Sequence, residues 1–187
     1  LFGPRVIPLG RLWGIRLGIA PSWFVVFLFV TWILGNNLRL EHASWSAWVV
    51  WGSAVVASLT FFVSILLHEL GHSVVAISLG LPVRAITLFL FGGAAELSGE
   101  PKRPRDEFLI AIAGPAVRFL LGMSFLLAGY LAPGSGPLEV IFIWPGAVTM
   151  GAAAFNSFPG LPLAGRRARR ARPCSAPRRT ARAPPSA

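Results

Sequence analysis

The segment His68-Glu69-Leu70-Gly71-His72 has the HExxH pattern found in many zinc enzymes. Residues four apart lie on the same face of an α-helix, so His68 and His72 can bind one zinc ion while Glu69 points toward a metal-bound water. A catalytic zinc site normally has a third protein ligand and leaves the fourth position to water. The motif therefore predicts two zinc ligands and a general base, and the third ligand must come from elsewhere in the chain.

The motif lies at the end of a long apolar run, which indicates metal chemistry inside a membrane. Hydrophobic residues make up 55% of the chain and charged residues 13%, compared with about 25% charged residues in an average soluble domain. This composition is typical of a protein embedded in a lipid bilayer.

The net charge of +10 is concentrated at one end of the chain. Residues 1–165 carry nine basic and seven acidic side chains, a balance of +2, and eight further arginines follow Gly165. The charge is therefore a property of the tail and a signal of topology, and it does not indicate a nucleic-acid partner. The single cysteine, Cys174, lies in the same tail, which leaves neither a disulfide framework nor a cysteine-based metal site.

Four apolar segments predict four transmembrane helices, because about 20 helical residues cross a hydrocarbon core about 30 Å thick. The predicted spans are about residues 18–35, 45–79, 107–131 and 137–155. Between the second and third spans, residues 83–97 contain a short apolar run that stops at Gly92-Gly93, which favours a strand or short hairpin over a spanning helix. The predicted fold class is an all-α membrane protein with this one β element, formed by residues 1–165.

The distribution of Lys and Arg predicts the orientation in the membrane. With four spans, most basic residues fall on one side, whereas the loops on the other side hold only Arg39. The positive-inside rule then places both termini and the HELGH end of the second helix in the cytosol of a multi-pass cell-membrane protein. The end of the fourth helix reaches the same side, so residues 155–162 are expected to face the HELGH turn.

Four elements in this order resemble the site-two protease family of intramembrane zinc metalloproteases. They are HExxH in a membrane helix, the Phe91-Gly92-Gly93 stretch, an Ala-Gly-Pro sequence at residues 113–115, and an Asn-x-x-Pro-x-x-Pro-Leu sequence at residues 156–163. The resemblance covers about residues 10–163. It implies a helical membrane core that hydrolyses a peptide bond in or near a transmembrane segment of a membrane-tethered protein substrate, such as an anti-sigma factor. The sequence offers no prediction of the oligomeric state.

The resemblance also assigns roles to particular residues. It implies that His68 and His72 are zinc ligands, that Glu69 is the general base and acid, and that Asn156 lies beside the site and binds the substrate or an intermediate. Gly92 and Gly93 would line the site, although the pair is also compatible with a simple turn. We further expect that residues 86–91 pair with an unwound substrate, because a helical peptide bond is shielded until it is extended.

One position departs from the family pattern at the third zinc ligand. The family has an aspartate in Pro-Leu-Asp-Gly-Gly, whereas this chain reads Pro162-Leu163-Ala164-Gly165-Arg166. Alanine cannot bind zinc, so the ligand position is lost at Ala164, and an inactive chain stays open as an alternative to an active protease. On topology, the side chains left as substitute ligands are Glu96, Glu100, Asp106 and Glu107.

The tail at residues 166–187 uses only Arg, Ala, Pro, Ser, Thr and Cys and has no apolar periodicity. The family continues with further membrane helices, so we interpret the chain as truncated after its fourth helix, with the tail an out-of-frame reading of a GC-rich gene. The alternative is a genuine basic tail that is disordered or interacts with anionic lipid.

A second departure is Arg118, deep in the third helix, where a charge costs about 2.5–3.5 kcal/mol on insertion scales. It either lines a polar path to the site or snorkels to the membrane surface.

Two other functions stay open beside the protease. One is a non-catalytic membrane protein that binds transmembrane partners, and the other is a metal transporter that uses the two histidines.

Overall fold

A computed structural model of the protein describes residues 6–90, 92–101, 103–132, 134 and 136–157. Within these residues, two strands precede two helices, and two further strands precede two more helices. The helices are α1 (Pro21–Glu41), α2 (Ala47–Ser78), α3 (Pro104–Leu131) and α4 (Pro137–Ser157). The strands are β1 (Ile7–Leu12), β2 (Ile15–Ile19), β3 (Val83–Phe89) and β4 (Gly92–Leu97).

All four helices are long and apolar enough to cross a membrane, which confirms the predicted helical membrane fold. The surface of the bundle is apolar as well: Leu28 is 63% exposed, Trp32 60% and Leu120 65%. Such a surface suits contact with lipid, and it is unlike the surface of a soluble monomer. The 32 residues of α2 span about 48 Å. This helix therefore extends beyond a hydrocarbon core of about 30 Å.

The first helix begins later than the sequence predicts. Residues 18 and 19 belong to β2, and α1 starts at Pro21 and continues to Glu41. Proline is well placed in a first helical turn, because its missing N–H has no partner there in any case. The same rule explains why α3 starts at Pro104, three residues before the predicted boundary.

The strands form one sheet in the order β1-β2-β3-β4. The predicted hairpin between the second and third helices is confirmed, since β3 and β4 are antiparallel neighbours. The N-terminal hairpin β1–β2 was not predicted, and its second strand pairs in parallel with β3, with Arg16 opposite Ala85 and Ile19 opposite Leu88. These partners are about 70 residues apart in the chain, a separation that local periodicity does not report.

The sheet packs against the second half of α2 through two apolar clusters. One brings Ile15 and Ile86 of the sheet together with Leu70 of α2. The other brings Ile19 and Leu88 together with residues of α1 and α2, namely Trp23, Phe62 and Ile65. The sheet is thereby held alongside the stretch of α2 that carries the HELGH motif.

Small residues bring the helices into close contact elsewhere in the bundle. A side chain at Gly35 would collide with the Trp51 ring of α2, and one at Gly122 would lie 2.7 Å from Cγ of Met150 in α4. Glycine at such positions lets the backbones approach closely, which is the main source of helix association in a bilayer.

The α3–α4 contact at Gly129 provides a test of this packing. A Cβ at Gly129 would lie 2.6 Å from two side-chain carbons of Ile143 and 3.2 Å from its backbone nitrogen. We expect Gly129→Val to lower the free energy of unfolding by about 1–3 kcal/mol, the usual cost of overpacking an interior. The measurement is unfolding of the purified protein in detergent. The control is Gly151→Val in α4, where an added Cβ meets no atom within 4 Å, and equal losses in both variants would contradict the prediction.

Candidate metal centre

The two histidines of the HELGH motif face each other on α2. Their Nε2 atoms are 3.2 Å apart, and the two rings are nearly perpendicular, with an interplanar angle of 85°. Two nitrogen ligands of a tetrahedral zinc ion, each about 2.0–2.1 Å from the metal, lie about 3.3 Å apart. The observed separation therefore fits a pair of zinc ligands.

A contact with α3 holds the His72 ring in place. Its Nδ1 lies 2.6 Å from the backbone oxygen of Ile110. A carbonyl oxygen can only accept a hydrogen bond, so Nδ1 donates and the Nε2 lone pair of the neutral ring faces His68. Metal-binding histidines typically donate their second ring nitrogen in this way, which fixes their orientation.

Glycines in α2 and α3 make this contact possible. Any side chain at Gly114 would overlap the imidazole of His72, and a Cβ at Gly71 would lie 3.1 Å from the backbone oxygen of Ala113. The residues Ala113-Gly114-Pro115, singled out in the sequence, thus form the part of α3 that supports the histidine pair.

His68 is more deeply buried than His72, with 7% of its surface exposed. Its Nδ1 atom is buried and has no hydrogen-bond partner among the described residues. Both histidines nevertheless contact the backbone of α3, since His72 bonds to the Ile110 oxygen and the His68 ring makes a backbone hydrogen bond to Gly114.

Strand β4 begins beside the Glu69 side chain. A Cβ at Gly93 would lie 3.1 Å from the carboxyl carbon of Glu69 and 3.3 Å from its Oε1. Gly92 has φ +134°, a backbone conformation that other residues rarely adopt. The structure thus places Gly93 against Glu69, and Gly92 makes the turn that brings the strand there.

The strand expected to pair with a substrate is not available for pairing. Residues 86–89 belong to β3, which is hydrogen-bonded to β2 on one side and to β4 on the other. The expectation for residues 86–91 is therefore wrong, because both edges of that strand are occupied. Among the described strands, β4 is the one with an unpaired edge beside Glu69.

Helix α4 runs alongside the motif. The Ser64 hydroxyl, which is fully buried, donates to the Phe61 oxygen at 2.6 Å and lies 3.1 Å from the Thr149 hydroxyl, so Thr149 donates across to α2. Phe61 also contacts Trp144 edge to face. The contact partners, Phe61 with Trp144 and Ser64 with Thr149, follow the same order along both helices, so α2 and α4 run parallel. The turns that follow Thr149 in α4 therefore lie beside His68 in α2.

Arg118 is buried between the helices, with 6% of its surface exposed. It therefore does not snorkel to the membrane surface, which removes one of the two sequence-based interpretations. Its charge acts on both Glu69 and His68, and its Nε atom has no hydrogen-bond partner among the described residues. The site thus contains a cation as well as the carboxylate and the two imidazoles.

The remaining predicted site residues are less completely placed. Asn156 lies in the last turn of α4, and only its backbone is described, while Ala164 and the tail lie outside the described residues.

The part of the chain that the structure describes contains no group of three metal-ligating side chains. The four candidate substitute ligands, Glu96, Glu100, Asp106 and Glu107, are all among the described residues. None of them therefore lies close enough to the histidine pair to be a third zinc ligand. Glu96 is three residues along β4 from Gly93, about 10 Å away.

Comparisons with known proteins show what the chain is similar to. The model of Peptidase family M50 matches residues 56–161. A putative zinc metalloprotease of Synechocystis is 40% identical over 159 residues, covering 85% of this chain and 42% of the relative. The putative zinc metalloprotease Rip3 of Mycobacterium tuberculosis is 39% identical over 168 residues, covering 88% of this chain and 43% of the relative. This chain thus spans less than half the length of these relatives.

A solved structure has the same fold. The site-2 protease from Methanocaldococcus jannaschii superimposes with a TM-score of 0.57 at 29% sequence identity, covering 89% of this chain and 70% of that one. The likeness extends over nearly the whole chain, so it includes the sheet as well as the helix bundle.

The Ser64–Thr149 hydrogen bond provides a test of how α4 is held beside the motif. In a double-mutant cycle of Ser64→Ala and Thr149→Val, we expect a coupling of about 0.6 kcal/mol, and at most about 1.7 kcal/mol, as for other hydrogen bonds between membrane helices. The measurement is unfolding in detergent. Ser124→Ala is the control partner for Thr149→Val, because the Ser124 hydroxyl bonds to Leu120 of its own helix. Equal coupling in both cycles would contradict a specific α2–α4 bond.

Proposed function

The chain belongs to peptidase family M50, and from this premise we propose that it is built as a zinc-dependent intramembrane endopeptidase whose metal centre is the His68-Glu69-His72 turn. The observation that carries the proposal is the Nε2–Nε2 separation of 3.2 Å, with His72 oriented by the Ile110 oxygen. The proposed substrate is a membrane-spanning protein, cleaved in or near its transmembrane segment.

In this proposal, His68 and His72 hold the zinc ion through their Nε2 atoms. A bound zinc ion acts as a Lewis acid and makes water a nucleophile at neutral pH. Glu69 is the general base and acid: it takes a proton from the attacking water and passes it to the leaving amine. Its position one residue after His68 and beside β4 supports this role, since both the water and the substrate would lie within its reach.

The free edge of β4 is the proposed substrate site. A transmembrane helix hides its peptide bonds in its own hydrogen bonds, so cleavage requires an extended segment, and a strand edge supplies the lost hydrogen-bond partners. Gly93 lets an extended chain approach the Glu69 carboxylate closely. We propose Asn156 of the last α4 turn as a further substrate contact.

The proposed zinc site lacks a third protein ligand in this chain. Ala164 stands at the position of the family's aspartate, so we propose that the chain as it stands binds zinc weakly and cleaves slowly or not at all. One observation supports the non-catalytic alternative, a membrane protein that binds transmembrane partners. The charge of Arg118 acts on the partly buried Glu69, so a positive charge near the carboxylate is present without a metal. A metal transporter has no such support, because the described residues hold no larger ligand cluster.

The chain is a multi-pass membrane protein, and we propose that it lies in the cell membrane with both termini in the cytosol. If each of the four long apolar helices crosses the membrane once, the end of α4 returns to the side on which α1 begins. Arg11, Arg16 and Arg84 lie on this side, and Arg39, at the other end of α1, lies on the opposite side. The positive-inside rule supports the orientation.

Zinc affinity tests the ligand assignment. We expect weak zinc binding by the purified chain in detergent, its loss in His68→Ala, and binding at least tenfold tighter in Ala164→Asp, since even an outer partner of a metal ligand is worth about 10–100-fold. Isothermal titration with zinc measures this. Unchanged binding in His68→Ala would refute the site, whereas loss in His68→Ala without tightening in Ala164→Asp would refute only the third-ligand position.

Cleavage tests the enzymatic half of the proposal. We expect Ala164→Asp to cleave a membrane-spanning substrate in liposomes, and the added substitution Glu69→Ala to abolish cleavage while zinc binding remains. Tight zinc binding by Ala164→Asp without cleavage would contradict the protease proposal for residues 1–187 and favour the non-catalytic alternative.

The Gly93–Glu69 contact predicts a more specific effect in the Ala164→Asp background. We expect Gly93→Ala to displace the Glu69 carboxylate and slow cleavage about a hundredfold, the cost of misplacing a reacting group by about 1 Å. Zinc binding should not change, because neither histidine is touched. Gly99→Ala is the control, since its Cβ would make an ordinary 3.7 Å contact with Leu81. Equal rates in the two variants would argue against the contact.

A further inference from the structure

Three arginines meet at the end of the sheet farthest from Glu69. Arg11 of β1 and Arg16 of β2 are direct cross-strand partners, and Arg84 lies in β3 next to Ala85, the partner of Arg16. Together with Gly14 and Val83, they line a cleft of about 330 Å³.

The positive charges of the three arginines are not neutralised by acidic side chains among the described residues of the cleft. Like charges directly opposite each other destabilise an antiparallel pair, yet Arg11 faces Arg16 in register. The residues described around the cleft include no Asp or Glu. Glu96 of β4, opposite Ala85, lines a neighbouring cleft with Arg16, which leaves Arg11 and Arg84 without a counter-charge in the cleft. All three arginines are exposed, and an anion bound between them would offset their repulsion.

The chemistry of the lining selects the kind of anion. Each guanidinium has five N–H donors in a planar fork, which matches the oxygens of a phosphate group bidentately. Three of them around one cleft suit a phosphate better than a single carboxylate.

The position of the cleft in the fold indicates where the phosphate comes from. Gly14 and Val83 also line a second cleft, with Trp13 on one side and Ile77 and Gly80 at the end of α2 on the other. Ser78, the last residue of α2, lies nine residues after Glu69 and about 14 Å farther along the helix. If α2 leaves the membrane near this end, the two clefts lie at the level of the lipid headgroups.

Trp13 adds an independent observation. It lies at the tip of the β1–β2 hairpin with φ 49°, a conformation that tryptophan rarely adopts, and 73% of its surface is exposed. Ile77 nearby is also exposed, by 42%. A tryptophan beside exposed apolar and basic side chains is typical of the membrane–water interface, where the ring lies among the headgroups.

We propose that the cleft formed by Arg11, Arg16 and Arg84 binds the phosphate group of an anionic lipid, with Trp13 and Ile77 against the upper part of its acyl chains. The lipid would fix the sheet, and with it the free edge of β4, at a set depth in the membrane. The proposal concerns this surface alone and does not depend on metal binding or cleavage.

The experiment counts lipid molecules on the full chain in neutral detergent, where no charged bilayer surface contributes. Phosphatidylglycerol is titrated and binding is measured by native mass spectrometry. We expect one tightly bound phosphatidylglycerol, and binding at least tenfold weaker in the double variant Arg16→Gln/Arg84→Gln. The matched control, Arg103→Gln/Arg105→Gln, removes the same charge from the exposed start of α3 and should change the affinity less than twofold. Equal weakening in both double variants would overturn the proposal.

Two competitors distinguish the sources of the anion. Phosphatidylcholine should bind at least tenfold more weakly, and inorganic phosphate should compete only at far higher concentration, because it lacks acyl chains. Equal binding of phosphatidylcholine, or competition by inorganic phosphate at the same concentration as the lipid, would overturn the lipid assignment. Displacement of the lipid by an acidic peptide at lower concentration than phosphatidylglycerol itself would favour a protein partner and also overturn it.

Thermal stability keeps the test independent of folding defects. Without lipid, Arg16→Gln should melt at the same temperature as the unmodified chain or higher, because it relieves the repulsion from Arg11. Added phosphatidylglycerol should raise the melting temperature of the unmodified chain and raise that of Arg16→Gln much less. A lower melting temperature of Arg16→Gln without lipid, or an equal rise with lipid, would contradict the proposed site.

Discussion

The contact between His72 and the Ile110–Gly114 turn of α3 determines much of the rest of the structure. A hydrogen bond from an imidazole to a carbonyl of the next helix requires the two backbones to lie very close, and Gly71 and Gly114 remove the side chains that would prevent it. In a bilayer, helices associate mainly through such close packing and through the few polar groups that must find partners inside the protein. The histidine pair is therefore oriented by the same contact that assembles α2 and α3.

The sheet places an extended strand next to the membrane helices. Strand backbone in lipid leaves unpaired N–H and C=O groups, which are costly unless they are covered or used. Here β2 and β3 pair with strands on both sides and pack one face against α2, and the β4 edge begins beside Glu69. The N-terminal hairpin makes this possible, because without β2 the inner strand β3 would expose a second edge.

The distribution of charge separates the two ends of this sheet. At the Glu69 end, the charge of one buried arginine acts on one carboxylate and one imidazole, whereas at the other end three arginines surround a cleft without an acidic residue in the described lining. The first arrangement belongs to the low-dielectric interior, where each charge needs a partner. The second lies near the end of α2 and, as we propose, binds an anion from outside the chain. Ala164 makes the Glu69 end less negative than in the family, because an aspartate at this position would be a negatively charged zinc ligand beside the two histidines.

The sequence by itself determined the four membrane helices, the β3–β4 hairpin and the HELGH motif, because hydrophobic length, strand composition and helical spacing are local properties. It also shows an alanine at position 164, where the family resemblance places the third zinc ligand. Only the tertiary structure decided that residues 7–19 form a hairpin, that β3 has no free edge, that Arg118 is buried beside Glu69, and that Arg11, Arg16 and Arg84 meet. The physical reason is that these features depend on strand pairing and helix contacts between residues that are far apart in the chain, which leave no periodic signal around any one of them.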